Sequence, residues 1–127
     1  MVAISGGYSG FSVDDLDAAL AFYSGTLGLD CRHEENGNGL TLHLGTTVVF
    51  IYPKPNHEPA SYTALYLEVP DIDVAVDELE AAGIELERYE GMPHDERGIL
   101  RGIAAHRGPD IAWFTDPARN IIAVLHG

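Results

Sequence analysis

Two stretches of this chain, YSGFSVDDLDAALAFYSGTLGLD at 8–30 and ALYLEVPDIDVAVDELEAAGIEL at 64–86, carry one pattern twice. An internal repeat constrains a fold more than any single motif. Shifting the first copy by 56 residues places Val13 on Val69, Asp15 on Asp71, Asp17 on Asp73 and Ala19 on Ala75. The apolar stripes coincide as well. Leu16, Ala19, Leu20 and Tyr23 match Ile72, Ala75, Val76 and Leu79, each set spaced as on a helix with one buried face. Both copies read as strand, acidic cap, helix, then a glycine (Gly28, Gly83) that permits a left-handed turn into another strand. Two copies at this period mean a duplicated module, not a solenoid.

The 127 residues suit one domain, 1–127, with module 1 at about 1–55 and module 2 at about 60–127. In the first half, strands are predicted at 8–13, 29–35, 40–44 and 47–52, and a helix at 15–24. Asn36-Gly37-Asn38-Gly39 is a hairpin turn, since Asn and Gly tolerate positive φ. Pro53, Pro55 and Pro59 mark a linker, because proline cannot donate to a sheet ladder. The second half repeats the plan, with a strand at 62–69, a helix at 71–82, and strands at 84–89, 111–115 and 120–126. Glu90 to Asp110 is a long irregular stretch, read either as a lid or binding loop or as a variable insertion. Each half is β-α-β-β-β. The expected architecture is α+β: a curled, mixed but mostly antiparallel sheet around a central cavity, with helices outside.

The formal net charge is −13, and the seven Lys and Arg residues form no basic run. Such a chain repels a phosphate backbone, so nucleic acid is not expected as a partner. Much of the acid, including Asp14, Asp15, Asp17, Asp77, Glu78 and Glu80, falls at helix starts or on solvated faces. The longest apolar runs fall far short of the ~20 residues that span a bilayer, and Met1–Gly7 lacks a charged start with an apolar core. No membrane partner and a cytoplasmic location are the expectations. A lone Cys31 forms no internal disulfide and reads as a small strand residue.

The string Val13-Asp14-Asp15-Leu16-Asp17 to Phe22-Tyr23, followed by Leu27-Gly28-Leu29, resembles the opening of the vicinal oxygen chelate superfamily. That superfamily groups glyoxalase I, extradiol dioxygenases and bleomycin-resistance proteins. The closing Phe114-Thr115-Asp116-Pro117-Ala118-Arg119-Asn120-Ile121 resembles its strand-turn-strand signature, with Arg119 where the family usually has glycine. A turn needing positive φ would carry strain there, or change type. Fold alone does not set chemistry. Metal-dependent members place His, Gln or Glu on the first and last strand of each module. By that resemblance the positions fall at Tyr8, Phe50, Ala64 and Ala123, and none of these is a conventional ligand. No metal and no cofactor are therefore expected. A noncognate set of His43, Glu68 and His106 is the alternative, although the six histidines show no HxH or HxxxH pair.

Without a metal, the expected ligand-binding wall is Tyr8, Phe50, Tyr52, Ala64, Tyr66, Glu68, Trp113 and Ala123. Rings of this kind stack on flat ligands, and phenols orient polar groups without ionising. The same rings would equally fill a sheet face or seal a dimer. Glu68 is the candidate proton acceptor if burial tunes it, and a rim carboxylate otherwise. The functional expectation is a metal-free binding protein of bleomycin-resistance type, sequestering an aromatic or cationic small molecule such as an antibiotic. The rival is a glyoxalase- or dioxygenase-like lyase, or a metal-free isomerase. The resemblance also implies a homodimer.

Overall fold

A computed structural model describes residues 1–127. The chain forms two compact units, 1–59 and 60–127. In the first, β1 (Ser9–Val13) leads into α1 (Leu16–Leu20), a π-helical turn (Ala21–Thr26), β2 (Asp30–His33), β3 (Leu40–Leu44) and β4 (Thr47–Pro53). The sheet order is β1-β4-β3-β2, with β1 parallel to β4 and the other pairs antiparallel. Asp15 caps α1, its carboxylate accepting from the Ala18 N–H at 3.0 Å.

The helix predicted at 15–24 changes character halfway. The Leu27 N–H reaches back to the Phe22 carbonyl at 2.8 Å, a five-residue span that widens the last turn. Within it Phe22 and Tyr23 meet edge to face at 5.2 Å, and Tyr23 is fully buried. Val13, Leu40, Leu42 and Ile51, alternate residues on their strands, complete that core.

The second unit repeats the plan with β5 (Thr63–Glu68), α2 (Ile72–Ala81), β6 (Leu100–Arg101), β7 (Asp110–Thr115) and β8 (Ile121–His126). Its order, β5-β8-β7-β6, is the same first-last-third-second arrangement, with β5 parallel to β8. Asp71 caps α2 by accepting from Asp73 and Val74 N–H. Ile72, Val76 and Leu79 are its buried stripe, and Gly83, at φ 81°, turns the chain out of it.

The two four-stranded mixed sheets and two helices are the expected α+β plan. One strand differs: 84–89 does not form. Only Glu87 pairs there, opposite Trp113, and the edge resumes as β6 with Leu100 opposite Ile111. Two steps along β7 thus correspond to thirteen along the edge chain, so eleven residues are inserted into the strand itself.

The insertion lies within Glu90 to Asp110 and its approach, and it is built rather than irregular. The Arg88 guanidinium donates to the carbonyls of Asp95 (3.0 Å) and Glu96 (2.7 Å). The Asp95 carboxylate accepts from the Arg97 and Ile99 N–H groups, both at 2.9 Å. Arg101 then bridges Asp95 (3.0 Å) and Asp73 on α2 (2.7 Å), while Arg97 meets Asp77 at 2.6 Å and Glu80 at 3.5 Å. Part of the helix acid expected to be merely solvated therefore holds the insertion. Side-chain hydrogen bonds from Arg101 keep the Asp73 carboxyl below its ordinary range. For Asp95 desolvation acts in the opposite direction, and bonds from Ile99, Arg101 and Arg97 outweigh it.

At the β7–β8 turn, Arg119 adopts φ 66°, the strained conformation anticipated for a non-glycine there. Buried Asp116 holds the turn, accepting from the Asn120 N–H at 2.8 Å and the Asn120 amide at 3.0 Å.

Candidate functional site

Along β1 and β4 the residues alternate, so Gly10 and Ser12 share a face with Val48, Phe50 and Tyr52, opposite the buried Phe11, Val13, Val49 and Ile51. On this face Phe50 and Tyr52 stack, with centroids 5.8 Å apart and planes at 20°. Tyr8, just ahead of β1, meets Phe50 edge-on at 6.5 Å. Phe50 thus contacts two other residues of the expected wall, and both of these, Tyr8 (77% exposed) and Tyr52 (37%), stay open. Two glycines make room for Phe50. A methyl on Gly10 would stand 2.9 Å from the Phe50 carbonyl oxygen, and one on Gly39 would lie 2.8 Å from the ring.

Hydroxyl–imidazole pairs flank this aromatic strip. On the β1 side Ser12 Oγ lies 2.6 Å from His57 Nδ1, and on the β3 side Thr41 Oγ1 lies 3.1 Å from His43 Nε2. All four residues are half-buried. Alternation places Ser12 on this face from sequence alone, but its pairing with His57, 45 residues away, was not read, nor was Thr41. Nothing in the linker marked His57 as a partner. Beyond His43 the face ends in Asp30 and Arg32, joined by two hydrogen bonds of 2.7 and 2.6 Å. That guanidinium holds the Asp30 carboxyl below its usual value, with His43 adding a smaller pull. Burial, assisted by Asp30, pushes the Cys31 thiol up to about 11, so it is not a nucleophile at neutral pH.

The corresponding face of module 2 is arranged differently. Tyr66 on β5 is 57% exposed, Ala64 is half-buried and Glu68 is exposed. Trp113, however, is 9% exposed and Ala123 is completely buried. The reason lies in the strand order. Trp113 stands on β7 opposite Ala123 on β8, and its indole N–H reaches across to Thr63 Oγ1 on β5 at 3.1 Å. The space that a small residue at 123 leaves is taken by the indole of its own sheet. Tyr89 and His94 of the inserted segment then meet that indole edge to face at 5.5 and 5.8 Å. His94 is itself fixed: its Nε2 accepts from the Tyr89 N–H at 3.0 Å, leaving Nδ1 to donate to the Gly98 carbonyl at 2.8 Å. Glu68, being exposed, thus stands as the rim carboxylate that was the alternative to a buried one.

The donor set argues against the superfamily's metal here. Phenyl and methyl groups at Phe50, Ala64 and Ala123 offer no lone pairs, and no three His, Cys, Asp or Glu side chains are grouped to hold an ion.

A family model described as the Glyoxalase/Bleomycin resistance protein/Dioxygenase superfamily matches residues 7–124. The chain belongs to this superfamily. Solved structures agree on the fold of these glyoxalase-like proteins. A glyoxalase family protein from Bacillus anthracis is similar with a TM-score of 0.69 at 21% identity, covering 100% of this chain and 99% of its own. A lactoylglutathione lyase from Agrobacterium tumefaciens gives 0.66 at 22%, covering 97% and 93%. TnmS3, an antibiotic binding protein from Streptomyces sp. CB03234, gives 0.65 at 24%, covering 99% and 98%. At these identities the likeness concerns fold alone. No curated protein matches the chain significantly. No helix is long and apolar enough to cross a membrane.

Proposed function

We propose that this superfamily member is a metal-free binding protein of bleomycin-resistance type, which sequesters a small planar aromatic compound, such as an antibiotic, without converting it. The observation that carries this reading is the contacting strip of Tyr8, Phe50 and Tyr52, left accessible on a sheet face and framed by hydrogen-bonding pairs. Stacking contributes roughly 0.5–1.5 kcal/mol per ring pair beyond area burial, and hydroxyls and imidazoles orient polar substituents. On the equivalent face of module 2, Tyr66, Ala64 and Glu68 are proposed as ligand contacts in their own right, with Glu68 available to a cationic substituent. Trp113 and Ala123 contribute as support rather than as contact surface, since both are buried. A homodimer in the cytoplasm belongs to the same reading, and sedimentation of the purified protein tests the dimer.

Because Trp113 is buried, quenching of tyrosine emission together with calorimetry is the appropriate measurement across a panel of planar aromatics. Micromolar binding by some members, lost on Tyr52→Ala with the fold intact, is the expected result. Absence of heat, quenching and thermal shift across the panel would contradict it. The rival enzyme classes separate cleanly. One equivalent of Zn, Ni, Fe or Mn in protein purified without chelator points to a glyoxalase- or dioxygenase-like lyase. Turnover abolished by Glu68→Gln points to a metal-free isomerase.

A further inference from the structure

The turn between β2 and β3 carries a sequence motif that the proposed function leaves unused. Asn36-Gly37-Asn38-Gly39 sets two asparagine-glycine pairs in series, with Asn36, Gly37 and Asn38 exposed and Gly39 buried. An asparagine is labile when the main-chain nitrogen after it can reach its carboxamide carbon, and glycine, having no Cβ, leaves that approach open. The two pairs are held differently. At the first, the Asn36 carboxamide oxygen accepts from the Asn38 N–H at 3.1 Å, and the Gly37 N–H donates to the Glu34 carbonyl at 2.9 Å. Attack there breaks both bonds. At the second, neither the Asn38 carboxamide nor the Gly39 N–H enters a hydrogen bond, and Gly39 is held through its carbonyl, which accepts from the Glu34 N–H at 2.8 Å. The nucleophile and its target are therefore both unengaged at Asn38.

We propose that Asn38 is a site of spontaneous modification through a succinimide, which converts it to aspartate and isoaspartate and thereby disturbs the Phe50 ring. The Gly39 nitrogen gives up its proton and bonds to the Asn38 side-chain carbonyl carbon. The bond from that carbon to the side-chain nitrogen breaks, and ammonia leaves with the proton. Water then opens the ring. Breaking the newly formed bond gives aspartate in the original chain. Breaking the bond between the Gly39 nitrogen and the Asn38 main-chain carbon gives isoaspartate, in which the chain runs through the side-chain methylene. Water is consumed, ammonia is released, and nothing is oxidised or reduced. The isoaspartate form has an additional main-chain carbon directly before Gly39, where there is no slack: a methyl on Gly39 would stand 2.5 Å from the Ile51 carbonyl oxygen and 2.8 Å from the Phe50 ring. The inserted carbon displaces Phe50 from its stack with Tyr52. This chemistry goes beyond the binding reading and does not depend on what the face binds.

Holding the purified protein at physiological temperature and neutral pH, then mapping its peptides by mass spectrometry, tests the site. Aspartate and isoaspartate, the latter located by isoaspartyl methyltransferase labelling, are expected at position 38 at least tenfold faster than at position 36. In concentrated urea, where the turn's hydrogen bonds are gone, the two rates should converge. Asn38→Gln, whose longer side chain closes a ring far more slowly, should remove the fast reaction with the fold intact by circular dichroism, and Asn36→Gln should not slow it. Position 36 reacting as fast as position 38 in the folded protein overturns the assignment. So does position 38 reacting no faster than Asn56, which precedes a histidine. The isoaspartate form, isolated by chromatography, is then compared with Asn38→Asp, which adds the same charge without the extra carbon. Phe50 ring resonances displaced in the isoaspartate form alone are expected. Unchanged resonances, or equal displacement in Asn38→Asp, would overturn the link to the aromatic strip.

Discussion

Module 1 and module 2 share strand order and helix capping, yet they use their equivalent sheet faces in opposite ways. In module 1 the face keeps two exposed rings, Tyr8 and Tyr52, on a half-buried Phe50, with four half-buried polar side chains. In module 2 the indole of Trp113 crosses a small residue, Ala123, and Tyr89 and His94 from an eleven-residue insertion pack on it. The second strand decides the outcome. In module 1 it runs uninterrupted into the Asn36–Gly39 turn, whereas in module 2 it breaks after Glu87, and the excursion supplies the covering rings. A duplicated fold thus offers two potential surfaces, and the local sequence of one edge strand determines which becomes core.

The contrast can be broken most directly by deleting rings. Trp113→Ala should cost ~3–5 kcal/mol in urea unfolding, as for other buried aromatic truncations, while Tyr52→Ala costs under about 1 kcal/mol and removes ligand binding. Equal losses would mean that the two faces are not differently used. Next in size, Gly39→Ala forces a methyl against the Ile51 carbonyl and the Phe50 ring, so a loss of ~1–3 kcal/mol is expected. NMR shifts of Phe50 and weakened binding of aromatic probes would accompany it.

Acid should act unevenly. Asp73 and Asp95 in module 2 have folded values below the ordinary 3.8, as does Asp30 in module 1. A depressed carboxylate stabilises the fold fully above its unfolded value, and the contribution disappears as pH falls through the lower folded value. Amide exchange followed below that ordinary value should therefore show segment 88–101 losing protection before the module 1 sheet. Loss in the reverse order would show that the guanidinium clamps do not hold the insertion. The smallest effect is expected at the β7–β8 turn, where Arg119→Gly relieves positive φ and raises stability by at most ~1 kcal/mol in the same urea assay.

Apart from the strand expected at 84–89, the strands, helices and their buried stripes were legible because periodicity records which side of each element is apolar. Val13, Ile51, Val76 and Ile122 lie where that alternation puts them. The grouping of Tyr8, Phe50 and Tyr52 followed from the same rule, since β1 and β4 are joined in parallel register. Other features were not legible, for one common reason. The Trp113–Thr63 bond, the Ser12–His57 pair and the Arg101–Asp73 clamp link residues 50, 45 and 28 positions apart, and no local pattern marks such partners. The alanine at 123 illustrates the difficulty: a small residue on a strand signals vacant volume, but which neighbour fills it depends on the side chains of the two strands set beside it.

The repeat, the capping aspartates and the alternating strands were enough to determine the α+β plan, and the strings at 13–29 and 114–121 carried the resemblance to the superfamily, because these are properties of neighbours along the chain. Which face would stay open was decided only when the strands were set side by side. Trp113, Ala123 and Thr63 lie on three adjacent strands, and their packing exists only once β8 stands between β5 and β7.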